Sequence, residues 1–103
     1  MASGTINKEN LPDYSGITGI TASKKNGIVF INALVTPSGS AGVWATLGTL
    51  PSGYRPKNYL YFTTVETSTY SVSPILINTD GTVQIKPAKT GGYAYVGALS
   101  FAN

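Results

Sequence analysis

Cysteine and histidine are both missing from this chain of 103 residues. Without cysteine there is no disulfide, no thiolate nucleophile and no Cys-based zinc site, and the redox compartment is left open. Without histidine the commonest metal ligand and the usual general base at neutral pH are gone as well, so neither a metal nor a cofactor is expected. Charge is scarce: Lys and Arg number 7 against 4 Asp and Glu, a net charge of +3 from 11% of the residues. The cations Lys8, Lys24, Lys25, Arg55, Lys57, Lys86 and Lys89 stand alone or in pairs at most. A nucleic-acid footprint needs several of them aligned against phosphates, so no nucleic-acid partner is expected. There is no run of 18 apolar residues and no apolar stretch at the N-terminus of the kind a secretory signal carries. Synthesis in the cytoplasm without membrane insertion follows as the expectation.

What the chain does have is 12 glycines, seven tyrosines and many Ser, Thr and Asn residues, a mixture suited to a β-rich surface that bonds through hydroxyls, amides and aromatic faces. Its length suits one domain with a modest core held by packing alone. Residues 1–24 read as a leader or stem remnant: a small polar start, a break at Leu11-Pro12-Asp13, and a short strand over residues 17–23. Residues 25–103 read as the folded domain. Asn26-Gly27 accepts positive φ at both central positions of a tight turn and predicts a hairpin into a strand over residues 28–36. Further strands are predicted over residues 43–50, 58–66, 72–78, 83–86 and 93–101, with a second hairpin at Asp80-Gly81 and no helical periodicity. The result is an all-β domain, a single antiparallel β-sandwich or jelly roll of seven to eight strands.

Three stretches in order carry a resemblance. Thr49-Leu50-Pro51-Ser52-Gly53-Tyr54-Arg55-Pro56, the hairpin from Ile77 to Ile85 around Asp80-Gly81-Thr82-Val83, and the Tyr/Val-rich strand ending at Phe101 resemble the C-terminal receptor-binding head domain of tail-fibre and baseplate proteins of phages infecting Gram-positive bacteria. The resemblance runs from about Gly27 to Phe101 and implies a non-catalytic module of the virion tail, made in the host cytoplasm. It implies as partners a cell-surface saccharide or wall polymer of the host and other tail or baseplate proteins, in a homotrimer. Heads of that family follow a stem and an anchoring region. Here about two dozen residues precede the Asn26-Gly27 hairpin, which fits either a fragment of a longer fibre protein or a small separate virion protein. In the family the octet is kept across modules with different receptors, which implies a structural part for Arg55, stacked on Tyr54 or paired with a carboxylate.

The residues themselves offer little for catalysis. Glu66 and Asp80 are the only carboxylates of the folded region; a glycoside hydrolase needs two within reach of one bond. Asp80 already has a turn to brace ahead of Gly81, and no Gly-x-Ser-x-Gly elbow or phosphate loop occurs. No enzymatic activity is expected. Gly53 supplies the positive φ of a Pro-x-Gly turn. Most tyrosines fall at strand positions where aromatics pack across neighbouring strands. Tyr70 differs, standing in a polar tip between Thr69 and Ser71. Trp44 either caps the core or lines a cleft. Binding residues concentrate on loops, so receptor contact is expected from residues 38–44, 67–71 and 88–92, with Trp44 and Tyr70 as stacking residues and Lys89 as the partner of an anionic polymer.

Oligomerisation has its own signal. The strand over residues 28–36 is apolar on both faces, and Tyr93, Tyr95, Leu99 and Phe101 add more apolar surface at the chain end. A partner subunit is one way to cover the excess, the homotrimer of the resembled family; the leader strand over residues 17–23 is the other. A trimeric assembly module that touches no receptor is the competing function.

Overall fold

The computed structural model describes Asn10–Asn103. These residues form eight strands, β1 (Leu11–Ile17), β2 (Ile20–Lys25), β3 (Ile28–Val35), β4 (Ala45–Thr49), β5 (Leu60–Glu66), β6 (Val72–Ile77), β7 (Thr82–Ile85) and β8 (Tyr95–Ala102), whose side chains alternate between interior and solvent except in β1 and β4, where the register shifts. No helix occurs among the described residues. The strands form one antiparallel sheet in the order β1-β2-β3-β8-β5-β6-β7-β4, so the expected all-β class holds.

A single sheet becomes a two-layered fold because its central seam is short. β8 and β5 pair only at Val65–Val96 and Glu66–Tyr95. Beyond that point Gly97 meets β5 so closely that an added Cβ would stand 2.8 Å from the Thr63 carbonyl oxygen. The sheet folds there, and β1 comes back towards β4, where the Ile17 side chain fills the space beside Gly48. The sheet is nearly closed. Its interior is lined from both halves by Ile20, Val29, Ile31, Val35, Ile75, Ile77, Ile85 and Tyr95, all fully buried.

The boundary expected between residues 24 and 25 falls inside the β2–β3 hairpin. Residues 11–25 are part of the sheet, with Ile17, Ile20 and Ala22 in the core; residues 1–9 of the expected leader lie outside the described residues. The single strand expected over residues 17–23 is broken by a turn at Thr18-Gly19, where Gly19 takes φ +82° and its carbonyl accepts the Leu34 N–H at 2.8 Å. Ile17 and Ile20 thereby pair and face the core together, which three residues of continuous strand would forbid. Asn26 and Gly27 have φ +53° and +81°, as the expected tight hairpin requires.

Two further expectations change. Of the four chain-end residues expected to add apolar surface, Tyr95, Leu99 and Phe101 face inward against the core and Tyr93 is exposed. β2 lies beside β3 in the plane of the sheet, so it does not cover the outer face of β3, on which Phe30 and Leu34 are exposed.

The octet folds at one end of the sheet. Leu50 is buried, Gly53 takes φ +101°, and the Arg55 Nε donates to the Leu50 carbonyl at 2.8 Å. The Tyr54 hydroxyl donates to the carbonyl of Pro12, and its ring lies 5.8 Å from that of Tyr14. Arg55 also packs at Gly81, whose φ is +91°, and the Asp80 carboxylate accepts the Thr82 N–H at 2.9 Å. These residues close the base of the fold.

Candidate functional site

Because successive strands run in opposite directions, alternate connections emerge at the same end. The turns at Asn26-Gly27 and Asp80-Gly81 and the octet lie at the base. Residues 36–44, 67–71 and 86–94 lie at the other end, so all three segments expected to contact a receptor share one end of the fold.

Glu66 organises the first of them. It ends the inward-facing series Phe62, Thr64, Glu66 of β5 and is 1% exposed. Its carboxylate therefore lies beneath the β5–β6 loop, where it accepts the Ser68 N–H at 2.6 Å, the Thr69 N–H at 3.1 Å, and both hydroxyls at 2.7 Å. Burial alone would raise its pKa, but the Ser68 N–H, the two hydroxyls and the Thr69 N–H outweigh it and hold the group down at about 2. The loop closes through the Tyr70 N–H, which donates to the Glu66 carbonyl at 2.8 Å, and the Glu66 N–H, which donates to that of Ser71 at 2.8 Å. This closure puts Tyr70 at φ +61°, a conformation costly for a tyrosine, while its side chain is 77% exposed.

Lys89 ties the next loop to this one. Its ammonium lies 3.4 Å from Glu66 Oε1 and 4.8 Å from the centroid of the Tyr93 ring. Its N–H donates to the Tyr95 hydroxyl at 3.1 Å, and the neighbouring Ala88 N–H donates to Ser73 Oγ at 2.8 Å. The Thr67 N–H reaches the Ala94 carbonyl at 3.0 Å. On the far side, Ala41 N–H donates to Thr90 Oγ1 and Gly42 N–H to the Pro87 carbonyl, each at 2.9 Å. The three loops are thus braced as one surface. A cleft of about 390 Å³ opens beside it, lined by Thr18, Leu34, Thr36, Ser38, Thr46 and Leu47 among others.

The three residues expected to bind saccharide are divided. Tyr70 and Lys89 both adjoin Glu66, whereas the Trp44 ring lies against Tyr61, 6.2 Å away, on the outer face of the sheet half formed by β4–β7. Lys86 places its ammonium 5.8 Å from the Trp44 ring, and Tyr59 meets Tyr61 edge-on at 5.9 Å. Trp44 therefore does not cap the core. Lys86, Tyr59 and Tyr61 carry a signal that strand parity supplies: with Phe62 inward, Tyr61 must face out.

Glu66 and Asp80 stand at opposite ends of β6, roughly 20 Å apart along six residues of strand. Each is engaged in its own turn, so they form no pair about a single bond. Asp80 is held below the usual carboxylate range chiefly by the Thr82 N–H. Among the described residues no three acidic side chains gather in a way that could hold a metal ion. Comparison of the chain with protein-family models and with curated proteins finds no match.

Proposed function

We propose that this domain recognises a saccharide or wall polymer on a bacterial cell surface, without chemical turnover, as the receptor-binding head of a phage or prophage tail. The observation that carries the reading is the loop end itself. Three glycine- and hydroxyl-rich connections are cross-braced there, and Tyr70 is offered to solvent in a strained backbone conformation above a buried carboxylate. Strain of this kind persists where the surroundings enforce it and is concentrated at functional sites. An exposed tyrosine supplies a ring to stack on a sugar and a hydroxyl to bond it. The assignment to a phage tail rests on the octet, the Ile77 to Ile85 hairpin and the closing strand. Lys89 serves an anionic polymer less well than the sequence suggests, since Glu66 neutralises it; its main part is to join two loops. The test is adsorption of the labelled domain to Gram-positive cell walls, with Tyr70→Ala as the variant. Loss of adsorption with an unchanged melting temperature supports the reading, and adsorption equal to that of the parent refutes Tyr70 as a contact.

A second reading, a trimeric virion module without receptor binding, is favoured by one observation. Leu34, Val96, Val65 and Val72 stand side by side in register across β3, β8, β5 and β6, all on the outer face. Exposed apolar residues in an unbroken row are a usual mark of a protein interface. Light scattering together with a glycan array separates the two readings: a trimer that binds no glycan supports the second.

A further inference from the structure

We propose that the outer face of β4, β5, β6 and β7 is a second binding site, for a glycan chain that carries an anionic substituent. The site begins with three rings in a row. Trp44 lies 6.2 Å from Tyr61 at an interplanar angle of 43°, and Tyr61 lies 5.9 Å from Tyr59 at 88°. At these angles no ring covers the next, and Tyr61 and Tyr59 remain 58% and 63% exposed. Cross-strand packing accounts for aromatics that bury most of their area against a neighbour; two tyrosines left more than half open lie outside that explanation. Aromatic rings in this state are suited to the C–H faces of pyranose rings, and three in succession suit a chain better than a single sugar.

The surroundings of the rings select the rest of the ligand. Gln84 lies between Leu76 and Thr46 in register, accepts from Asn78 Nδ2 and donates to Thr46 Oγ1, each at 3.4 Å. Hydrogen bonds this long leave amides and a hydroxyl ready to exchange partners with sugar hydroxyls. Lys86 brings a positive charge to this face, its ammonium 5.8 Å from the Trp44 centroid. No carboxylate occupies an outward position of β4–β7: Glu66 points inward and Asp80 belongs to the base turn. An ammonium at the edge of an aromatic strip, unopposed by an acid, favours an anionic group on a sugar stacked against Trp44. Lys89, by contrast, already faces Glu66. The inference stands on this face alone and does not depend on whether the loop end binds a receptor.

An array of neutral, uronate-bearing and phosphate-bearing oligosaccharides tests it with the parent, Tyr61→Ala, Lys86→Gln and Tyr70→Ala. The parent is expected to retain acid-bearing glycans above neutral ones. Tyr61→Ala should weaken that binding about tenfold, in keeping with the loss of one aromatic contact, and Lys86→Gln should reduce acid-bearing glycans to the neutral level. Trp44 is the single tryptophan, so its emission should shift as the best-bound glycan is titrated. If Tyr61→Ala lowers the melting temperature, Tyr59→Ala and Lys86→Gln carry the test. Absence of any bound glycan, a preference for neutral glycans, or binding indifferent to Tyr61 and Lys86 overturns the proposal. Binding lost only in Tyr70→Ala overturns it while leaving the loop-end reading intact.

Discussion

Lys89 and Glu66, 23 residues apart in sequence, meet at 3.4 Å, and the Glu66 carboxylate accepts four hydrogen bonds from Ser68 and Thr69 besides. The β5–β6 loop therefore takes its shape from an ionised group beneath it. The loop buries no apolar side chain of its own, so this carboxylate and the backbone bonds of Tyr70, Ser71 and Thr67 are what hold it.

Acid should loosen this end of the molecule first. Glu66 titrates at about 2 in the folded chain against its usual 4.5, so its folded pKa is depressed. Its contribution to stability is complete above pH 4.5 and is lost as the pH falls from there towards 2. Asp80, lowered chiefly by the Thr82 N–H, acts in the same direction. A melting temperature followed from pH 7 to 2 should be level down to about 5 and then decline. Glu66→Gln should start lower at pH 7 and decline less, the remainder belonging to Asp80. An equal decline in both proteins would show that Glu66 does not contribute.

Gly81→Val should destabilise the base without touching binding. A β-branched residue at φ +91° is strained, and its Cβ would crowd the Leu50 carbonyl and stand 2.8 Å from Arg55 Nε. Backbone strain and overpacking together should cost about 3 kcal/mol, read as a lower midpoint in urea at unchanged slope. An unchanged midpoint would contradict the geometry of the turn.

Much of this architecture was legible in the sequence because it depends on local chemistry. Asn26-Gly27 and Asp80-Gly81 fixed two hairpins, and the alternation of apolar residues located most of the strands. Even the gathering of residues 36–44, 67–71 and 86–94 at one end follows from antiparallel alternation of strands. The turn at Thr18-Gly19 was also written there, in two isoleucines three residues apart that can share a face only if the chain reverses between them. What could not be read locally depends on layer packing. That Tyr95, Leu99 and Phe101 face the interior, and that Trp44 meets Tyr61 instead of Tyr70, depends on which strands become neighbours when the sheet folds at Gly97.

The outer face of β3 predicts association. Leu34, Val96 and Val72 are exposed and Val65 is half-buried in one apolar row, and the homotrimer that the resemblance implies would bury it. Light scattering should give three times the chain mass of 10.7 kDa. Leu34→Lys combined with Val96→Lys should give the monomer with an unchanged β-sheet circular dichroism spectrum. A parent protein that is monomeric at micromolar concentration would refute the trimer.

Tyr70 should show opposite effects on stability and on binding. It holds φ +61° because the loop closes through its N–H on the Glu66 carbonyl, and a left-handed backbone costs a tyrosine roughly 1 kcal/mol or more. Asparagine tolerates that conformation through its short polar side chain. Tyr70→Asn should therefore keep the loop and recover about 1 kcal/mol, which in a domain of this size raises the melting temperature by about 4 to 8 °C. The tyrosine ring, 77% exposed, contributes no packing whose loss would offset the gain. If the ring serves the receptor, the same variant should adsorb to cell walls less well than the parent, and Tyr70→Phe should retain the stacking part of the binding while losing what the hydroxyl adds. A more stable variant with undiminished adsorption would leave the strain without a functional reason. A variant no more stable than the parent would show that the loop relaxes around Tyr70 in solution.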